Sequence, residues 1–171
     1  MNANSADRTL GWSFGGVVAF EIARSLQARS TIVKGLVLID SPSPSSHVPL
    51  SLPLVDQVLS SQTNPNREPQ KLCKTQFLQN AELLVNYSAD KIQAQPSLNL
   101  IFLKSSESYK SNNVDIPSWL SRRTDTAHHN HGWGSIAGGL IKTLDIPGNH
   151  FEAFSPENVG AIARFFLKYG S

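Results

Sequence analysis

The chain has 171 residues, enough for one domain with a single sizeable core. Its formal net charge is +2, its basic side chains are scattered, and Arg122-Arg123 is its one arginine pair, so nothing calls for nucleic acid or a membrane surface as partner. A single cysteine, Cys73, excludes an internal disulfide framework and fits a reducing, cytoplasmic setting. No apolar run approaches the roughly 20 residues that span a bilayer, and Met1–Arg8 is polar, unlike a signal peptide.

In chain order, residues 1–9 read as a frayed lead-in, followed by a helix over Gly15–Gln27 with Val17, Val18, Phe20, Ile22, Ala23 and Leu26 at helical spacing. Lys34–Asp40 is a short continuous apolar run ending at an acid and a Ser/Pro turn, the pattern of a buried strand. Residues 41–53 are loop by their Ser and Pro content, and 54–93 read as helical pieces broken by Gln62–Glu68. Leu98–Leu103 is a second strand, 105–113 loop, Ile116–Arg123 a short irregular or helical piece, and Gly134–Leu140 a flexible approach. Ile141–Ile146 is a third strand that stops at Pro147-Gly148-Asn149-His150. Pro156–Tyr169 is the last helix, with Ser155 as its cap. Strands separated by helices imply an α/β fold with a mostly parallel sheet.

The chemistry centres on Gly11-Trp12-Ser13-Phe14-Gly15-Gly16, a G-x-S-x-G turn running straight into a helix. Such a nucleophile elbow needs residues without side chains where the backbone approaches itself. The helix behind it aims free N–H groups and its positive end at a developing oxyanion. A serine alcohol needs a base to take its proton and a third group to orient that base. Asp40 and His150 follow strands, and the order Ser, Asp, His matches the α/β-hydrolase fold. All three are thus expected at the edge where parallel strands end. Glu107, after the second strand, is a rival acid; Asp40 is preferred because it follows its strand without a gap and Ser41-Pro42 fixes its direction.

These residues, with Leu36–Pro42, Arg123-Thr124-Asp125, Gly132-Trp133 and Asp145–Phe151, resemble the thioesterase domains of fungal polyketide synthases, including the Claisen-cyclase type. The resemblance runs from residue 10 to the C-terminus. It implies Ser13 as acyl-accepting nucleophile, His150 as base, Asp40 as orienting acid and the Phe14 N–H as oxyanion donor. It implies a lid over about 43–95, a substrate carried on the phosphopantetheine of an acyl carrier protein, and no further cofactor or metal. The family has strands and helices before the elbow that the resemblance leaves unmatched here, including the strand into the serine and a loop giving a second oxyanion donor. The chain is therefore expected to be an N-terminally truncated, partial domain of 1–171. Losing one oxyanion donor costs about 100- to 1000-fold in rate. A small-ester hydrolase using the same triad, and an inactive fragment, are the alternatives.

Other features carry less. His128-His129-Asn130-His131 invites a metal reading, but neighbouring loop residues rarely converge on one ion, and a solvated loop is expected. Cys73 is expected to be buried or half-buried, Glu21 structural, Trp12 either pocket-lining or packed under the elbow, and Trp133 in the core or against the lid.

Overall fold

The computed structural model of the chain describes residues 5–6, 8–45, 47–61, 67–87, 98–123, 131–137 and 140–169. The elements run β1 (Ser5–Ala6), β2 (Thr9–Trp12), α1 (Phe14–Ala28), β3 (Ile32–Val33), β4 (Leu36–Ile39), α2 (Leu52–Ser61), α3 (Arg67–Val85), β5 (Leu100–Ser105), α4 (Ser118–Ser121), β6 (Ile141–Ile146) and α5 (Val159–Tyr169). A four-stranded parallel sheet has the order β2-β4-β5-β6, and β1 pairs with β3 in a separate two-stranded parallel piece.

The central strand explains the layering. Leu36, Val37, Leu38 and Ile39 are all buried, as a strand covered on both faces requires. Leu36 and Leu38 join Leu100 and Phe102 in a core with Val17, Phe20 and Ala23 of α1. Val37, Ile39 and Leu103 join Ile146, Ile162 and Phe165 on the other face, under α5. A third cluster, Leu54 and Val58 with Trp119 and Leu120, ties α2 to α4.

Several expectations need correction. The lead-in is not wholly frayed: β2 pairs from Thr9↔Leu36 to Trp12↔Ile39, so a strand does lead into Ser13. Only Gly11 of β2 is fully buried, and β2 lies at the edge of the sheet with β4 as its one neighbour. Val18 and Ile22 of α1 are exposed, so the buried face of that helix is narrower than its apolar pattern. Strand β5 runs on to Ser105, where Lys104 and Ser105 pair with Asp145 and Ile146. Lys104 is accommodated because its Nζ donates to the Arg123 carbonyl at 2.9 Å. The segment before β6 is not simply flexible: Trp133–Ser135 form a 3-10 turn, and Trp133, Ile136 and Ala137 are buried. Helix α5 starts at Val159 rather than Pro156. Asn158 and Val159 both donate to the Ser155 carbonyl (3.0 and 2.9 Å), making a turn ahead of the helix, and the Asn158 side chain is drawn to the Glu152 carbonyl (3.1 Å).

The elbow glycines are unequal. A Cβ on Gly11 would overlap the Gly15 carbonyl, and one on Gly16 would overlap the Ser41 side chain, whereas one on Gly15 would meet open space. The expectation that every flanking glycine is sterically required therefore fails at Gly15. Gly16→Ala should lower stability by about 1–3 kcal/mol through overpacking, seen as a reduced urea midpoint at unchanged m. Gly15→Ala should stay within about 0.5 kcal/mol of wild type.

Candidate active site

The register that pairs Trp12 with Ile39 brings the next residues, Ser13 and Asp40, to the same sheet edge. Ser13 has φ 51° and ψ −128°, a conformation disfavoured for a residue with a side chain. It is held there because its N–H donates to the Ile39 carbonyl at 3.1 Å and its carbonyl accepts from Gly16 N–H at 3.0 Å. Asp40 (φ 45°) and His131 (φ 50°) are strained in the same sense. Among the described residues, Ser30 is the one other non-glycine position with positive φ. Strain is thus concentrated where the three polar residues converge.

His150, four residues past β6, is buried, and its ring spans the gap between Ser13 and Asp40. Its Nε2 lies 3.0 Å from Ser13 Oγ and its Nδ1 lies 2.8 Å from Asp40 Oδ2. The carboxylate accepts a proton-bearing Nδ1, which leaves the Nε2 lone pair facing the serine hydroxyl. Three aromatic rings enclose the imidazole: Trp12 stacked at 5.3 Å, and Trp119 and Phe151 edge-on at 5.1 and 4.9 Å. Glu107, the rival acid, is exposed, and its N–H is bonded to the Gly148 carbonyl at 3.1 Å.

Asp40 is fully buried, and a buried carboxylate must be matched by donors. Oδ1 accepts the Ser105 N–H at 2.9 Å and Arg123 Nη1 at 2.7 Å; Oδ2 accepts Arg123 Nη2 at 2.9 Å besides His150. Burial pushes the carboxyl up, but the hydrogen bond from His150 and the Arg123 charge outweigh it and hold Asp40 well below the usual carboxylate range. His131 Nε2 is 2.9 Å from Arg123 Nη1 and 3.4 Å from Asp40 Oδ1. A guanidinium can only donate, so Nε2 accepts there and the His131 proton sits on Nδ1. Burial pushes the His131 imidazole down, in keeping with a neutral ring.

A cleft of about 310 Å³ opens at Ser13, lined by Trp12, Phe14 and Trp119 and by Gln76, Phe77 and Leu84 of α3. Phe14 opens α1, so its N–H has no acceptor within the helix and stands beside the serine. Trp12 is therefore pocket-lining. Cys73 also lines the cleft and is exposed, contrary to expectation, because α3 presents it to the cleft and not to the core. His47 lines it too, and burial, then the charge of His150, pushes its imidazole down to about 4. Glu21 accepts from Arg24 at 2.7 Å and from the Tyr87 hydroxyl, a structural role.

The family model described as "Thioesterase domain" matches residues 8–169. The chain belongs to the thioesterase domain family. An orsellinic acid synthase of Armillaria mellea is 37% identical over 159 residues, covering 90% of this chain and 7% of the relative. Another, from Beauveria bassiana, is 33% identical over 187 residues, covering 90% and 8%. The thioesterase domain thus spans less than a tenth of the length of these relatives. Among solved structures, the NocB thioesterase domain of the nocardicin cluster has a TM-score of 0.63 at 24% identity, covering 94% of this chain and 64% of that one. The surfactin-cyclising thioesterase domain has a TM-score of 0.61 at 23% identity, covering 94% and 66%. The fold of the thioesterase domain is that of the α/β-hydrolases, with the parallel sheet described above.

Two residues of the thioesterase domain's site escape sequence reasoning. Arg123 stands beside exposed Arg122 and is marked in the sequence only within the matching stretch Arg123-Thr124-Asp125; it lies past the C-cap of α4, so no helical periodicity marks it as buried. His131 is not in a solvated loop but buried beside Asp40, because Arg123 supplies a donor for its ring. His128, His129 and Asn130 lie outside the described residues, as do Thr124 and Asp125. Among the described residues, no group of three or more His, Cys, Asp or Glu is placed to hold a metal ion.

These titrations share one sign. His131 and His47 have folded values below the ordinary imidazole value of about 6.5, so the unfolded chain takes up protons first as pH falls below it. Asp40 contributes stability above about 4, lost as pH falls further toward its depressed folded value. The urea midpoint should therefore drop from pH 7.5 to pH 4.5, and His47→Gln should flatten part of that slope. A midpoint unchanged across the interval would contradict neutral burial of the two rings.

Proposed function

We propose that this domain releases an acyl chain from a thioester through a covalent acyl-Ser13 intermediate. The observation that supports the reading most directly is the His150 ring, 3.0 Å from Ser13 Oγ on one side and 2.8 Å from Asp40 on the other. In this reading His150 Nε2 takes the Ser13 proton as Oγ attacks the thioester carbonyl. The oxyanion forms at the N-terminus of α1, where the Phe14 N–H and the helix dipole meet it. The C–S bond breaks, the leaving thiolate takes the proton from His150, and the acyl group stays on Ser13. Water, a substrate hydroxyl or a substrate carbanion then attacks the acyl-enzyme, giving an acid, a lactone or a Claisen-cyclised ring.

The substrate class follows from the company this domain keeps. Relatives that share its sequence are named as orsellinic acid synthases and non-reducing polyketide synthases, so the acyl group is a polyketide, delivered on the phosphopantetheine arm of an acyl carrier protein. The aromatic residues lining the cleft (Trp12, Phe14, Trp119) suit an unsaturated or cyclised acyl chain. The segment from about 43 to 95, which includes α2 and α3, acts as the lid over this chamber.

Ser13→Ala should abolish labelling by a serine-directed fluorophosphonate and lower acyl-thioester hydrolysis by about 1000-fold or more. His150→Ala should do the same within a few-fold, since members of such a unit are not additive. Turnover of a short p-nitrophenyl ester without turnover of acyl-carrier thioesters would select a small-ester hydrolase instead. Equal labelling of wild type and Ser13→Ala would sink the proposal.

A further inference from the structure

Asp40 lies between two imidazoles. His150 Nδ1 meets Oδ2 at 2.8 Å, and His131 Nε2 stands 3.4 Å from Oδ1. Either ring could hold this carboxylate, but a carboxylate shared with His131, or turned toward it, would no longer fix the tautomer and direction of His150. What decides between them is the arginine.

We propose that Arg123 is a positioning residue of the candidate triad: its guanidinium fork locks the Asp40 carboxylate onto His150 and keeps His131 from competing for it. The inference rests on the reading of Ser13 as nucleophile given above. Two separate features carry it. The first is the fork: Nη1 and Nη2 take one oxygen each, at 2.7 and 2.9 Å, so the carboxylate plane is fixed by the planar guanidinium. With the Ser105 N–H on Oδ1 and His150 on Oδ2, each oxygen has two donors. The second is the contact from Nη1 to His131 Nε2 at 2.9 Å, which occupies the lone pair of the nearer ring nitrogen and leaves it no proton to offer Asp40.

Stability alone does not account for this arrangement. Both partners are essentially inaccessible to solvent, with side-chain exposures of 1% and 0%. Desolvating such a pair offsets most of its Coulombic gain, and well-packed apolar residues commonly do as well or better. The pair fits its place better as a device that fixes orientation. The same segment adds a second restraint, since Trp119, four residues before Arg123, packs edge-on against the His150 ring at 5.1 Å.

The test measures the second-order rate of fluorophosphonate labelling at Ser13, with folding followed by far-ultraviolet circular dichroism. Arg123→Ala should label about 100-fold more slowly, the cost of a misplaced base, and added methylguanidinium should restore much of the rate with saturation. Arg123→Lys keeps the charge but loses the fork, and should give an intermediate rate. Arg122→Ala, at an exposed neighbour, should label like wild type. A folded Arg123→Ala variant that labels at the wild-type rate, or is slow and unmoved by methylguanidinium, overturns the proposal. If the alanine variant does not fold, a wild-type rate in Arg123→Lys overturns it instead. A wild-type chain that does not label at all overturns the proposed function, and this inference with it.

Discussion

The site depends on parallel strand register. In a parallel sheet every strand ends at the same edge, so residues placed just past strand ends meet there however distant they are in sequence. Trp12↔Ile39 sets Ser13 beside Asp40. Leu103↔Leu144 and Ser105↔Ile146 carry the same edge across to β6, and thence to His150. A slip of one residue in either pairing would reverse the faces of every side chain in the strand. The apolar run of β4 forbids that less strongly than an alternating strand would, since both of its faces are buried. Hydrogen bonds at the strand ends therefore matter more: Ser13 N–H to Ile39, Asp40 N–H to Leu103 and Ser105 N–H to Asp40 Oδ1.

That edge is also where the fold carries its electrostatic cost. A carboxylate at 0% exposure is unstable without partners, and here it has four donor contacts from three elements. Those partners come from β5, from the second residue after α4 and from the loop after β6, so the charge ties together at the sheet edge segments that the apolar clusters also join. Lys104 extends the same logic: it holds the Arg123 carbonyl at 2.9 Å and approaches Asp145 at 3.4 Å. The backbone bearing the buried charge is thereby tied to the sheet.

The fold was legible because its signals are local. The continuous run Leu36–Ile39, the apolar-periodic helix after Ser13 and the turn formers after each strand each determine one element. The three polar residues were legible because the elbow motif fixes one of them and chain order the other two. What local pattern missed depends on tertiary company. Residues 1–9 read as a frayed lead-in, yet pairing with buried β4 on one side makes Thr9–Trp12 a strand. His131 reads as part of a solvated loop and Arg123 has no role legible in the sequence, yet each is buried by the other and by Asp40. Cys73 reads as buried or half-buried, yet it is exposed and lines the cleft. Burial of polar side chains is reciprocal, and a single sequence shows each partner without the other.

The loop after Asp40 shows how the strained positions are kept. Asp40 at φ 45° would relax toward ordinary backbone angles if the chain beyond it were free. It is not free. Trp133 Nε1 donates to the Ser41 carbonyl at 2.7 Å, and Ser43 N–H donates to the His131 carbonyl at 3.1 Å. Further along, Trp119 Nε1 donates to the Val48 carbonyl at 2.9 Å. Two indoles, each anchored in an apolar cluster, thus clamp the segment that leaves β4. The same clamp holds the strained His131 through its carbonyl, so the conformations of Asp40 and His131 are maintained together. Stability in the apolar cores is in this way converted into fixed geometry at the polar edge, and the rings that supply it, Trp119 above all, also form the wall of the cleft over Ser13.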